Sequence, residues 1–254
     1  MLKEITSSYE IKIPQPEMDP EDLSVIPPWR LRRQPGEDLS GADLENIDYV
    51  SQIVKKYESF IQPYENANAI VRVWLETLQK DFKEQYHHNP IHNIQSRIKS
   101  LSSIAEKLKR KGLEPSFDCA RDHLTDIAGT RVICYYIQDV YTVAELLKRQ
   151  ENTILLRESD YIKEPKPNGY RTYHMILGVS LHQSGEYYPV EVQIRTLAMD
   201  FWASMEHQLV YKSELENKEE LAKELKIYAD TLQNMEHNMM RFYEEVNLPL
   251  KGDF

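Results

Sequence analysis

Between about residues 91 and 195 the apolar pattern switches repeatedly between a period of two and a period of 3.6, an alternation that few folds accommodate. I-H-N-I-Q-S-R-I-K (91–99) reads as a strand. S-I-A-E-K-L-K-R-K-G (103–112) reads as a helix, with Ser103 and Glu106 at capping-box spacing and Gly112 as its stop. A-G-T-R-V-I-C-Y-Y-I (128–137) is a strand, D-V-Y-T-V-A-E-L-L-K-R-Q (139–150) a helix capped by Asp139, and T-I-L-L-R (153–157) another strand. Two longer strands, 170–181 and 186–195, joined through Q-S-G-E, form an antiparallel hairpin. The expected fold is α/β or α+β, a mixed sheet flanked by helices.

The flanks are different. Residues 1–40 hold six of the 13 prolines and read as an extended, irregular arm with Trp29 as an anchor. From about Gly41 the pattern is helical: Ile47, Val50, Val54 and Tyr57 share one face, and Ile70, Val71, Trp74, Leu75, Leu78 and Phe82 share another. Pro63 separates these two segments. After Thr196 the chain returns to helix, and from Leu221 the spacing is heptad-like through Leu225, Tyr228, Leu232, Met235, Met239 and Phe242. That pattern serves equally a helix lying on its own domain and one meeting another subunit.

Composition narrows the class of function. No run of about 18 apolar residues exists, so no membrane span is expected. The N-terminus lacks the apolar core of a secretory signal, and Cys119 and Cys134 are too few for a disulfide framework. A cytoplasmic protein is the expectation. The net charge of −10 argues against a broad nucleic-acid-binding surface, although it leaves RNA open. Lysines and arginines converging in so acidic a chain point instead to a small polyanion.

Three segments carry the chemistry. In E-V-Q-I-R (191–195), Val192 and Ile194 fall on one strand face, while Glu191, Gln193 and Arg195 fall on the other. On periodicity alone a solvated outer face is the commoner reading. D-I-A-G-T-R (126–131) places Asp126 just before a strand and Arg131 near its start; a carboxylate there is either a turn former or, beside another on a neighbouring strand, a Mg²⁺ ligand. Arg97 and Lys99 share a strand face, and Ser103, Lys107 and Arg110 follow at helical spacing, which is either a solvated basic face or a triphosphate site. No phosphate-binding G-x-x-x-x-G-K-[ST] loop is present.

K-P-N-G-Y-R-T-Y-H (166–174) joins them. Its Asn-Gly pair marks a turn, and alternation beyond it sets Tyr170, Thr172 and His174 on one face and Arg171 and Tyr173 on the other. A tyrosine face can stack on a base, and Lys166 and Asn168 can bind a phosphate or a base edge.

In this order, R-I-K, D-I-A-G-T-R, K-P-N-G-Y-R-T-Y-H and V-E-V-Q-I-R-T resemble the synthetase domain of the RelA/SpoT family over about residues 60–212. With T-L-A-M-D-F-W-A-S-M-E-H following, the chain is similar to the small alarmone synthetases, RelP-like more than RelQ-like. The resemblance implies a nucleotidyltransferase-like synthetase domain over 41–212, with the segment 213–254 as an oligomerisation helix of a homotetramer. It implies transfer of the β,γ-diphosphate of ATP to the 3′-hydroxyl of GTP or GDP, giving (p)ppGpp and AMP. Asp126 and Glu191 would hold Mg²⁺, and Glu191 would be the base. Arg97, Lys99, Ser103, Lys107, Arg110 and Arg131 would line the ATP side, Lys166, Asn168, Tyr170 and His174 the GTP/GDP side, and Gln193 and Arg195 the floor. No spaced His and Asp set for a metal-dependent hydrolase precedes these motifs, so a synthetase without its own hydrolase is expected. Two departures stand out: Asp200 replaces an Asn of RelQ-like members, and Ser159 stands where some relatives carry a basic residue. The competing readings are another acceptor, an adenosine nucleotide or the tRNA 3′ end, and a non-catalytic nucleotide- or RNA-binding regulator.

Overall fold

Pro63 does not divide the first helix. In the computed structural model α1 runs unbroken over Gly41–Tyr86 with Pro63 inside it. Phe60, Ile61, Tyr64, Ala67, Val71 and Leu75 form one buried stripe that continues past the proline. Burial on both sides of Pro63 outweighs the roughly 3 kcal/mol an interior proline costs, so the expected two segments are one. The structure describes residues 41–86, 88–181, 185–212 and 218–247, and the proline-rich arm lies outside them. The contacts divide the chain into Met1–Val50 and Ser51–Phe254, and the sheet with its helices belongs to the second unit.

That sheet has five strands in the order β1-β2-β5-β4-β3. They are β1 (Ile91–Ile98), β2 (Ala128–Cys134), β3 (Thr153–Asp160), β4 (Tyr173–Ser180) and β5 (Tyr187–Thr196). β2 and β5 are parallel, and every other neighbouring pair is antiparallel, so the sheet is mixed as expected. The β4–β5 hairpin is also present, but β4 starts at Tyr173 rather than at residue 170. Residues 166–170 close a turn instead: Gly169 N–H donates to the Lys166 carbonyl at 2.8 Å and Lys166 N–H to the Tyr170 carbonyl at 3.1 Å. Gly169 takes φ +91°, which a residue with a side chain rarely adopts.

One face of the sheet is core. Val190, Val192, Ile194, Met175, Leu177 and Tyr173 are buried there, with α1 and α4 (Ile137–Lys148) contributing to the same cluster. Asn68 of α1 fixes the docking: its Oδ1 accepts from Thr130 Oγ1 at 2.7 Å, and its Nδ2 donates to the Arg97 and Gly129 carbonyls at 3.3 and 3.4 Å. The other face carries Arg97, Arg131, His174, Glu191, Gln193 and Arg195.

The helix ends differ in detail from expectation. α2 (Leu101–Arg110) is capped by Ser100, whose Oγ accepts from Ser103 N–H, so Ser103 lies inside the helix; Gly112 does end it, at φ +71°. α3 (Phe117–His123) was not expected, because seven residues are too short to show a period; Ser116 caps it. β2 stops at Cys134, and the next helix is entered at Tyr136, with Asp139 three residues in, accepting from Tyr136 N–H at 3.2 Å. α5 (Leu197–Lys212) and α6 (Lys218–Asn247) close one end. Leu225 and Ala229 are buried against Trp202, whereas Tyr228, Met235, Met239 and Phe242 are exposed.

Candidate functional site

Strand register builds the site as rows running across the sheet. In one row Arg157 (β3), Ile176 (β4), Glu191 (β5), Gly129 (β2) and Arg97 (β1) are successive partners. In the next, Ser159, His174, Gln193, Arg131 and Gln95 are partners. Gly129 lies between the two charged residues: a Cβ there would be in ordinary contact with both, 3.8 Å from Arg97 Nε and 3.6 Å from the Glu191 carbonyl. Period two thus sets a carboxylate among guanidiniums, as the sequence pattern predicts.

A chain of hydrogen bonds orients that carboxylate. Gln193 Nε2 donates to Glu191 Oε2 at 2.9 Å, and Gln193 Oε1 accepts from Arg195 Nη2 at 2.7 Å. Arg195 is held in turn by Asp200, which takes its Nη1 at 3.3 Å and lies 3.7 Å from Arg131 Nη1. Burial lowers the Arg195 pKa; Tyr170 and Asp200 oppose that drop, while Arg131 and Arg97 add to it. The Nε atoms of Arg131 and Arg195 are buried without a hydrogen-bond partner. Unpaired donors beside crowded guanidiniums suit an anionic ligand.

Beyond Arg97 lies a second charged cluster. Lys99 and Lys107 reach Asp126 Oδ2 at 3.0 and 2.5 Å. Burial raises the Asp126 pKa, but the two ammonium groups more than reverse this and hold it below the usual carboxylate range. Asp126 Oδ1 is buried and has no partner. Ser103, Lys107 and Arg110 follow one stripe of α2, yet only Lys107 enters this cluster; Ser103 and Arg110 are exposed. Among the described residues no hydrogen bond or ion pair joins Asp126 to Glu191.

On the opposite side, aromatic rings gather around a lysine. Lys166 Nζ sits 4.9 Å from the Tyr161 ring centroid and 5.0 Å from that of Tyr170. His174 meets both rings edge-on, at 5.6 and 6.2 Å, and its Nε2 is 3.2 Å from the Tyr170 hydroxyl. Burial, with Arg195, Lys166 and Arg157 nearby, pushes the His174 pKa down to about 4, so the imidazole is neutral near pH 7. Asn168 serves the turn: its Oδ1 accepts from Tyr170 N–H at 3.2 Å and its Nδ2 donates to Glu206 Oε1 at 3.4 Å.

Sequence reasoning missed Tyr161 and Trp202 and treated Asp200 only as a departure. Tyr161 directly follows β3, where alternation no longer reports facing. Trp202 packs 6.3 Å from Tyr170 and donates from Nε1 to the Leu225 carbonyl at 2.8 Å, a contact across 23 residues that no local pattern records.

A mixed sheet with one helix-covered face, and an opposite face combining an oriented carboxylate, converging cations and an aromatic cluster, defines a nucleotide-handling transferase domain. The profile described as "Region found in RelA / SpoT proteins" matches residues 96–216. The GTP pyrophosphokinase YwaC of Bacillus subtilis is 36% identical over 204 residues, 80% of this chain and 97% of that relative. The GTP pyrophosphokinase YjbM of the same organism is 38% identical over 160 residues, 62% of this chain and 74% of that relative. The small alarmone synthetase 1 of Bacillus subtilis, solved with its product pppGpp, superposes with a TM-score of 0.67 at 32% identity, over 76% of this chain and 99% of that one. The chain belongs to the RelA/SpoT family. These similarities do not divide the RelP-like from the RelQ-like branch.

Proposed function

We propose that the protein is a GTP/GDP pyrophosphokinase that moves the β,γ-diphosphate of ATP onto the 3′-hydroxyl of GTP or GDP. The observation that carries this reading is the row through Glu191: a carboxylate oriented by Gln193, with cations toward β1 and an aromatic cluster toward β3 and β4. The acceptor O3′ attacks the β-phosphorus of ATP, its proton passes to Glu191, and the bond from that phosphorus to the α,β-bridging oxygen breaks to release AMP. Arg97, Lys99, Ser103, Lys107, Arg110 and Arg131 are the ATP-side residues of this reading. Lys166, Asn168, Tyr170 and His174 form the acceptor side, Tyr170 stacking on guanine and His174 acting as a neutral hydrogen-bonding group. A carboxylate is a weak base in water, so positioning and charge stabilisation must supply most of the acceleration.

Asp126 and Glu191 are the carboxylates that would hold a Mg²⁺ ion in this reading. Such an ion takes one or two protein carboxylates and completes its shell with water and phosphates, and the buried, partnerless Oδ1 of Asp126 is a hard donor of the required kind. When bound, the ion neutralises charge on the donor phosphates. The same reading takes residues 41–212 as the synthetase domain and the protein as a cytoplasmic homotetramer. The exposed Tyr228, Met235, Met239 and Phe242 of α6 support contacts between subunits, and sedimentation as a monomer would refute this.

The test is transfer itself. With Mg²⁺, ATP labelled in its β- or γ-phosphate and GDP or GTP, the expected products are labelled (p)ppGpp and AMP. Label found only on tRNA or on an adenosine nucleotide would replace the acceptor, and no transfer at all would overturn the reading.

A further inference from the structure

We infer that Ala229 of α6 is a positioning residue for the acceptor side: its methyl group sets where the turn of residues 166–170 seats, and so where the ring of Tyr170 meets the base. The inference rests on the proposed transfer and deepens it.

Tyr170 stands apart from the main core. Tyr173, three residues on, is buried with the strands and α1, but Tyr170 packs on a separate small cluster of Trp202, Leu225 and Ala229. Trp202 belongs to α5, and Leu225 and Ala229 belong to α6. Trp202 Nε1 donates to the Leu225 carbonyl at 2.8 Å, which joins the two helices of that cluster. The ring offered to the base thus takes part of its footing from a helix that carries none of the charged residues of the site.

The approach to α6 is closest at Gly169. A Cβ there would fall 2.5 Å from Ala229 Cβ and 3.3 Å from Lys226 Cα, so the backbone of the turn rests directly on the helix at that methyl. Glycine is required at 169 twice over, by this approach and by its φ of +91°. Ala229 is engaged from the end of the turn as well, because Arg171 Nη2 donates to its carbonyl at 3.4 Å. Ala229 is only 2% exposed. A larger side chain at this position therefore fits only by moving the turn.

Such a movement reaches the acceptor groups together. Lys166 N–H donates to the Tyr170 carbonyl, and Asn168 Oδ1 accepts from Tyr170 N–H, so Lys166, Asn168 and Tyr170 shift as one. A misplacement of ~1 Å can cost about 100-fold in an enzyme site. A buried alanine is ordinarily packing and nothing more. What distinguishes this one is that it touches the acceptor turn and not the donor side. Among the described residues no hydrogen bond or ion pair joins α6 to Arg97, Lys99, Lys107 or Asp126, and the last three are bonded to one another.

The test uses the full chain. Ala229→Val should raise the KM for GDP and GTP by about 10- to 100-fold while the KM for ATP stays unchanged. Ala229→Ser, close to alanine in size, should stay near wild type. A fault of packing alone would lower thermal stability and leave the acceptor and ATP KM values in their wild-type ratio. A double-mutant cycle tests the contact even where Ala229→Val does not fold. Gly169→Ala should raise the acceptor KM, and adding Ala229→Gly should recover part of that loss, since the backbone strain at 169 is common to both variants. An unchanged acceptor KM in folded Ala229→Val, a matching rise in the ATP KM, or no recovery in the double variant would each overturn the inference while leaving the transfer reading intact. A wild-type protein forming no (p)ppGpp would overturn both.

Discussion

Arg171 Nη2 lies 3.2 Å from Glu236 Oε2, with the two side chains only 3% and 11% exposed. This pair ties the turn that carries Lys166, Asn168 and Tyr170 to helix α6. Arg171 Nη2 also donates to the Ala229 carbonyl at 3.4 Å, and Glu236 accepts from Thr196 Oγ1 at the end of β5. Gly169 completes the seat, since a Cβ there would fall 2.5 Å from that of Ala229. Removing one member of a buried ion pair leaves the other charge uncompensated, at about 3–5 kcal/mol, whereas replacing both with apolar groups is often near neutral. Arg171→Met should therefore destabilise strongly in denaturant unfolding, and Arg171→Met with Glu236→Met should recover most of the loss. Additive losses in the double variant would mean that the pair is not coupled.

Tyr170 lies between α6 and the site, with Trp202 on one side and Lys166 and His174 on the others. Base stacking on an aromatic ring is worth ~1–3 kcal/mol by alanine substitution, or about 5- to 150-fold in affinity. Tyr170→Ala should raise the acceptor KM within that range and leave the ATP KM little changed. Tyr170→Phe, which keeps the ring and loses the hydroxyl contacts to His174 and Arg195, should sit close to wild type. An unchanged acceptor KM in the alanine variant would refute stacking.

Glu191→Gln separates two roles of one carboxylate. The amide keeps the shape and can still accept from Gln193, but it cannot take a proton. General-base loss commonly costs about 10²- to 10⁴-fold in rate, so kcat should fall at least that far. ATP affinity measured without Mg²⁺ should be retained, and the Mg²⁺-dependent gain in affinity should shrink if Glu191 also holds the ion. A variant with wild-type kcat would remove Glu191 from the base role.

How much of this was legible in the chain follows from what periodicity can record. The row of Glu191, Gln193 and Arg195 was legible because a strand writes its faces into every second residue, and β1, β2, β4 and β5 were found the same way. Arg157 was not, because a bulge resets the alternation without any mark in T-I-L-L-R-E-S-D. Pro63 misled because local propensity cannot see the buried stripe on either side of it. The order inside K-P-N-G-Y-R-T-Y-H was half right. Tyr173 and Arg171 do lie outside the pocket, but Arg171 does so because a carboxylate 65 positions away claims it, not because a strand points it there.

His174 supplies a prediction about pH. Burial and the surrounding cations lower its pKa from 6.5 to about 4 in the folded protein. Between these values the unfolded chain binds the proton and the folded one does not, so this group makes stability rise with pH. Its contribution is complete above about pH 6.5, declines as pH falls, and below pH 4 leaves the fold weaker by up to ~3 kcal/mol. The check is the stability of nucleotide-free, Mg²⁺-free protein from pH 7.5 to 4, compared with His174→Gln. The variant also lacks a hydrogen-bonding ring, so the informative quantity is the slope rather than the level. Other carboxylates titrate equally in both proteins, and the wild-type minus variant difference should shrink by ~3 kcal/mol as pH falls through this window. A difference independent of pH would mean that His174 is as easily protonated folded as unfolded, and would leave it free to carry positive charge to a bound phosphate at neutral pH.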